Sequence, residues 1–197
     1  MKSFVTPVFL FFLVIQSAFS QQTAGDYPKA GTVKTVSNDK LTISLVNGKL
    51  NLNKTEISGT WKTAAFIKFF GSDGRTRDGL NTTHTYDEDG VVVFEKTTDK
   101  KKTGELSELQ IFISSAEKNE VTPSGLYKGS LIIENNRINA DIPLDELRLK
   151  LKGYKESESY MENNYRFSKA GIYMYIQFDE DDMEILKVSI GKDTQKQ

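Results

Sequence analysis

The chain has 197 residues, 26 of them basic and 27 acidic, and it contains no cysteine. A formal net charge of −1 provides no attraction toward nucleic acid or an anionic membrane. The lack of cysteine excludes disulfides, thiol nucleophiles and thiolate metal sites. The length suits one ordinary domain or two small ones.

The first twenty residues have the pattern of a secretory signal peptide. Lys2 precedes an apolar run from Phe4 to Ile15, and small residues lie three and one positions before Gln21. The apolar run is too short to span a bilayer, so a membrane anchor is the weaker alternative. We therefore expect cleavage after Ser20 and a periplasmic or secreted protein without a stable membrane anchor.

The mature chain is predicted to begin with a flexible leader, residues 21–31, and to continue with a first folded unit, residues 32–115. Apolar and polar residues alternate over Leu41–Leu45 and again over Leu50–Leu52. Asn47-Gly48 lies between these segments and is the strongest two-residue hairpin signal. The unit therefore opens with a β-hairpin.

A helix is predicted to follow this hairpin. Ser58–Thr60 offers capping oxygens, and Trp61–Phe70 is strongly apolar up to the stop at Gly71. The polar segment Ser72–Asn81 is then expected to be a long loop.

The first unit is predicted to end with a run of strands. Thr82–Tyr86 and Val91–Lys96 flank the turn Asp87–Gly90, and the basic segment Lys96–Lys102 is interpreted as a solvated turn before the strand Leu109–Ile113. Residues 119–125, which include a proline and a glycine, are the expected junction.

The second unit, residues 126–192, repeats the same order, and residues 193–197 are expected to be a tail. Its predicted elements are a hairpin that turns at Asn135-Asn136, a helix from Pro143 that ends at Gly153, a post-helix loop at Tyr154–Asn164, and strands at Phe167–Phe178 and Glu184–Ile190.

The helix of this second unit has an alternative. Leu147, Leu149 and Leu151 alternate with basic residues, which is the period of a strand. A proline at the start, acidic residues in the first turn and lysines in the last turn favour the helix.

Both units read hairpin, helix, strand, strand. The fold class is therefore predicted to be α+β, with two tandem repeats that are each an antiparallel sheet with one packed helix. The two sheets are either separate or joined edge to edge.

Few residues point to chemistry. His84 is the only histidine and no nucleophile motif accompanies it, so we interpret it as an exposed or packed strand residue. The acidic clusters Asp87–Gly90 and Asp179–Asp182 lack a full calcium-loop signature and are interpreted as turns, with weak calcium binding as the alternative. No cofactor, metal site or catalytic residue is predicted.

The function predicted from these features is that of an exported, non-enzymatic protein that binds another protein through sheet edges or post-helix loops. Within those loops the candidate partner-binding residues are Arg75, Arg77, Tyr154 and Tyr160, because Arg and Tyr are enriched at interfaces. One alternative is a carrier with an apolar pocket for a small molecule or lipid between helix and sheet. A carboxylate-dependent hydrolase is the third hypothesis.

Overall fold

A computed structural model describes residues 38–57, 61–71, 74–114, 118–157, 159 and 161–193. The predicted signal peptide and leader, the capping segment 58–60 and the candidate residue Tyr160 lie outside these ranges. Within them, the helices are all too short or too polar to cross a membrane.

The described part of the chain contains two α-helices and thirteen strands. In chain order these are β1 (Thr42–Val46), β2 (Lys49–Leu52), β3 (Thr55–Glu56), α1 (Thr63–Phe70), β4 (Arg75–Arg77), β5 (Asn81–Tyr86), β6 (Val91–Thr98), β7 (Lys101–Phe112), β8 (Ser130–Ile133), β9 (Asn136–Ile138), α2 (Leu144–Lys150), β10 (Lys155–Ser157), β11 (Asn164–Lys169), β12 (Ile172–Phe178) and β13 (Ile185–Lys192).

The strands form two sheets. The small sheet has the order β3-β2-β1-β8-β9, and the large sheet has the order β10-β11-β12-β13-β7-β6-β5-β4. β1 and β8 are parallel, whereas β7 and β13 are antiparallel. Strands from both predicted units therefore contribute to each sheet. The fold is mostly β and broadly α+β, and the duplication stays a prediction.

The hairpin at Asn47-Gly48 is confirmed, with both residues at positive φ (50° and 71°). The second hairpin turns at Glu134-Asn135, one residue earlier than predicted. The core sets this register, because Ile138 must lie opposite Leu131 for both side chains to be buried.

Helix α1 begins two residues later than predicted. Trp61 is buried and its carbonyl accepts a hydrogen bond of 2.6 Å from the amide of Leu106 in β7. The backbone before the helix is therefore bonded to the large sheet. The helix ends at Phe70, where Gly71 has a φ of 87°.

Helix α2 is confirmed, and the strand alternative is wrong. Leu147 and Leu151 are buried, whereas Leu149 is 76% exposed. A strand would have placed all three side chains on one face, so this pattern requires a helix.

Both long post-helix loops were predicted wrongly, because each contains a short strand. β4 and β10 have three residues each and form the two ends of the large sheet. All three residues of β4 are exposed, so no apolar alternation marks the strand in the sequence.

Two further predictions are corrected. The basic segment 96–102 is not a solvated turn, because β6 and β7 continue through it to a tight turn at Asp99-Lys100, where both residues have positive φ. The segment Phe167–Phe178 is two strands, which turn at Ala170-Gly171.

One hydrophobic core lies between the two sheets and the helices. It combines small-sheet residues such as Leu45, Phe66 from α1, Leu147 from α2, and large-sheet residues such as Val93 and Ile190. One face of the large sheet is therefore covered, and its opposite face lies outside this core.

Candidate functional site

The outer face of the large sheet is built by strand alternation. Met174, Ile190 and Leu109 are paired across β12, β13 and β7 and belong to the core. The next paired row is Tyr175, Ser189 and Gln110, so these side chains lie on the opposite face.

A groove of about 600 Å³ lies on this outer face. Its volume is within the roughly 300–1,000 Å³ typical of ligand sites. Its lining is polar and aromatic and comes from five strands and the segment after β10: Glu108, Gln110, Ser157, Ser159, Met161, Asn164, Arg166, Tyr175, Gln177, Lys187 and Ser189.

A second depression of about 480 Å³ lies on the helix side of the β10–β11 hairpin. It is bordered by Arg148 of α2, which donates to the carboxylate of Glu156 at 2.8 Å, and by Tyr165. The two depressions share Ser157, Ser159, Met161 and Asn164. The hairpin is therefore flanked by a concave surface on each side.

Of the three charged groups in the outer groove, Arg166 forms an ion pair and Glu108 accepts hydrogen bonds from neutral donors. Arg166 donates to Asp193 at 2.8 Å, and its guanidinium lies 5.5 Å from the ring centroid of Tyr173. Glu108 accepts hydrogen bonds from the Tyr173 hydroxyl at 2.9 Å and from the Gln110 amide at 2.7 Å. Burial and the Glu108 charge raise the pKa of Tyr173, so its hydroxyl stays a donor.

Lys187 is the third charged group and differs from the other two. Its ammonium lies 5.7 Å from the ring centroid of Phe112. Among the described residues it has no hydrogen-bond or ion-pair partner. Burial lowers the pKa of Lys187, and the charge of Glu108 opposes this shift only in part.

The predicted partner-binding residue Arg75 is held by internal contacts. Its guanidinium donates to Asp87 at 2.6 and 3.1 Å and to the carbonyl oxygens of Glu120 and Thr122 at 3.0 Å each. Arg77 forms an exposed ion pair with Glu120. Both arginines therefore connect β4 to the junction between the two predicted units.

Tyr154 also has an internal role. Its hydroxyl donates to Glu134 at 3.1 Å, and the same carboxylate accepts from Lys169 and from the amide of Asn47. Burial raises the pKa of Glu134, but these three donors together lower it below its usual value. This cluster links the tips of both small-sheet hairpins to the large sheet.

The structure does not bring the three described candidates together. Arg75 and Arg77 lie on β4, whereas Tyr154 precedes β10 at the opposite end of the large sheet. The segment after Tyr154 nevertheless borders both depressions. The groove itself was missed, although Tyr173, Tyr175 and Gln177 alternate with buried apolar residues in the sequence.

His84 is a buried strand residue, as one of its interpretations predicted, but its partner was not predicted. Its Nε2 lies 2.9 Å from Oε2 of Glu95, whose side chain is fully buried. The other oxygen of Glu95 accepts from the amide of Gly104 at 2.8 Å. The pair lies on the covered face of the sheet, so we assign it a structural role.

The acidic clusters form turns, and their carboxylates bond to the chain. Asp87 accepts from Arg75 and from the Ser124 amide, and Asp179 accepts from the amides of Met183 and Glu184. Among the described residues, no group of three or more His, Asp or Glu side chains could hold a metal ion.

The chain was compared with protein families, curated proteins and solved structures. No curated protein and no solved structure matches the chain. A family model described as a domain of unknown function (DUF7738) matches residues 42–148, from the start of β1 into α2. The match includes β4 but ends before β10–β13, which supply most of the groove. Because it spans more than half of the 197 residues, the chain belongs to this family of domains of unknown function.

Proposed function

We propose that the chain is an exported, non-enzymatic protein that binds another protein at the β10 end of its large sheet. The observation that carries this proposal is the pair of depressions on either side of the β10–β11 hairpin, which share four residues. A small ligand would fill one depression. A partner protein can hold the hairpin from both sides.

The edge of β10 supports the same proposal. In the described structure β10 pairs only with β11, and Lys155 and Glu156 are exposed. An unpaired edge offers backbone groups to a partner strand. A strand added there would direct alternate side chains toward the two depressions.

The residue types around the hairpin also suit a protein partner. Met161 is 67% exposed, and Arg166, Tyr165 and Tyr175 border the depressions. Met, Arg and Tyr are enriched at protein interfaces.

The two alternatives have less support. A carrier would need an apolar pocket beside α1, but Phe66 is fully buried, and the depression of about 340 Å³ at Phe70 is bordered by the acidic segment Asp87–Asp89. A hydrolase would need an accessible base, but His84 is buried and bonded to Glu95. Export itself is proposed from the signal-peptide pattern of residues 1–20.

We also propose that the two halves arose by duplication, on the basis of their shared order of hairpin, helix, short edge strand and three antiparallel strands. An alignment of family members in which residues 42–112 match residues 130–192 would support this origin.

The binding proposal is tested with proline substitutions that prevent a partner strand from pairing with the free edge of β10. The mature chain, residues 21–197, would be used to capture a partner, and the affinity of the purified partner would then be measured by calorimetry. Successive amides of a strand point to opposite edges, so Glu156→Pro and Ser157→Pro each remove a different one. The variant that removes the outward amide should weaken binding at least tenfold and keep its midpoint in urea.

Three controls complete this experiment. Glu156→Ala and Ser157→Ala change the same side chains without removing an amide, and Thr76→Pro blocks the opposite edge at β4. Each alanine variant should weaken binding less than the proline variant at the same position, and Thr76→Pro should weaken it no more than about twofold. If both proline variants and Arg166→Ala bind the partner like the wild type, the proposal is wrong.

A further inference from the structure

We infer that the outer groove binds a neutral saccharide, seated over Ser189 on the face of the large sheet. This inference goes beyond the proposed function, because the ligand is not a protein. Its site lies over β12, β13 and β7, whereas the proposed partner strand pairs with the edge of β10. The two proposals are therefore tested by different substitutions.

The shape of the groove comes from a small residue between larger ones. Ser189 lies opposite Tyr175 on one side and opposite Gln110 on the other, and its short side chain forms the floor between them. Lys187 and Gln177 form the next paired row on the same face. A group the size of a sugar ring can lie over Ser189 with longer polar side chains around it.

The buried hydroxyl of Ser189 carries the inference. Ser189 is only 4% exposed and lines the groove, yet within the described part of the chain its hydroxyl has no hydrogen-bond partner. The side chain of Gln177, which is half-buried, has none there either. Buried polar groups in proteins are nearly always hydrogen-bonded. A ligand hydroxyl satisfies such groups well, because it both donates and accepts.

The charges of the groove favour a ligand without net charge. Arg166 is paired with Asp193, and Glu108 is close enough to act electrostatically on Lys187, so two positive and two negative charges balance. An ionised carboxylate has about four acceptor positions. Glu108 uses two of them, for the Tyr173 hydroxyl and a side-chain amide. It can therefore accept from one ligand hydroxyl while the Lys187 ammonium donates to another.

A peptide suits this part of the groove less well than a saccharide. β12 and β13 are each paired on both sides, so the backbone beneath the groove is already hydrogen-bonded. Recognition there depends on side chains. Three amides and three hydroxyls of the lining supply both donors and acceptors: Gln110, Asn164, Gln177, Ser157, Ser159 and Ser189. The ring of Tyr175 adds an aromatic surface on which the C–H face of a sugar can pack.

Titration of the mature chain with neutral trisaccharides, followed by NMR, tests the inference. The panel contains maltotriose, cellotriose, galactotriose, mannotriose and triacetylchitotriose. At least one should bind with a Kd of about 1 mM or lower and shift the side-chain amide signals of Gln177. Trigalacturonate and deacetylated chitotriose are the anionic and cationic counterparts of two members, and neither should bind more tightly than the best neutral trisaccharide.

Two substitutions locate the binding site. Ser189→Ala and Gln177→Leu remove groups without an internal partner, so each should weaken binding about fivefold or more and keep the midpoint in urea. Ser44→Ala, at a half-buried strand serine of the small sheet, is the matched control and should leave the affinity unchanged. Failure of all five neutral trisaccharides to bind, tighter binding of a charged counterpart, or unchanged affinity in both groove variants would overturn the inference.

Discussion

The two ends of the large sheet have the same architecture but differ in the contacts that hold their edge strands. β4 and β10 both follow a helix, have three residues and form the last strand of the sheet. At the β4 end, Arg75 and Arg77 bond to residues of the junction. At the β10 end, Glu156 is held from the helix side by Arg148.

We propose that the β4 end serves the stability of the fold and the β10 end serves binding. Charged side chains and a chain segment beside β4 make that edge a poor template for another strand. β10 is held by α2, which leaves its outer edge and the groove accessible. We therefore expect substitutions at the β4 end to change folding and substitutions at the β10 end to change binding.

The largest effect is expected beneath the β4 end. His84→Leu would leave the fully buried carboxylate of Glu95 with the Gly104 amide but without its imidazole partner. Removing one member of a buried pair costs about 3 kcal/mol or more. Urea denaturation should show this loss in the free energy of unfolding, and the double variant His84→Leu/Glu95→Leu should recover at least half of it.

The matched substitution at the β10 end is Tyr165→Phe. It removes one hydrogen bond of 2.7 Å to Asp182 and keeps the ring, which packs edge-to-face on Phe178. A loss of about 1 kcal/mol is expected. If this variant and His84→Leu lose the same stability, the two ends do not differ as we describe.

The next effect concerns the contacts of Arg75. Arg75→Ala should lower the free energy of unfolding by about 1–2 kcal/mol, because four hydrogen bonds are lost from a side chain that is half exposed. Arg75→Lys should not restore it, since an ammonium cannot form the planar two-point contact with Asp87.

Arg77→Ala is the control, because its exposed ion pair with Glu120 should contribute less than about 0.5 kcal/mol. A chemical denaturation series of the three variants measures these differences. Equal losses for Arg75→Ala and Arg77→Ala would mean that the junction contacts do not hold β4.

These contrasts also mark what the sequence predicted. Asn47-Gly48 and the buried pattern of α2 were recognisable because turn chemistry and helical period are local. β4 and β10 were not, because each consists of three polar residues, which carry no apolar period. The pairing of β7 with β13 joins segments far apart in sequence, and no local pattern encodes it.

The His84–Glu95 pair had a recognisable signal. The turn at Asp87–Gly90 sets Tyr86 opposite Val91, which places His84 opposite Val93 and diagonal to Glu95 on the same face. The groove had a weaker signal in the sequence, namely Tyr173 and Tyr175, which alternate with buried apolar residues in β12. Its charged groups come from three different strands, so their arrangement was accessible only from the structure.

A smaller effect of the β4 end depends on pH. Hydrogen bonds from Arg75 lower the pKa of Asp87 below its usual 3.8, burial opposes this, and the Ser124 amide lowers it further. The folded state therefore binds fewer protons than the unfolded state, so this stabilisation is present above pH 3.8 and is lost as the pH falls through the lowered folded value.

Asp87→Asn should thus be less stable than the wild type at pH 7, and the difference should shrink below pH 3.8. Thermal unfolding followed between pH 2 and 7 measures it. In the Arg75→Ala background the same substitution should show much less pH dependence. A difference that stays constant down to pH 2 would contradict this role of Asp87.

The smallest effect is expected near the β10 end of the sheet, where a substitution should increase the free energy of unfolding. Lys187→Met removes a half-buried ammonium whose charged form is disfavoured by burial, so it should raise the free energy of unfolding by about 0.5–1 kcal/mol. Lys155→Met, at an exposed position on β10, should change it by less than about 0.5 kcal/mol. Because the folded pKa of Lys187 lies below 10.5, the unfolded state binds more protons as the pH approaches that value, and the stability of the wild type should rise toward that of Lys187→Met. A variant that is less stable than the wild type at pH 7 would show that the charge of Lys187 supports the fold.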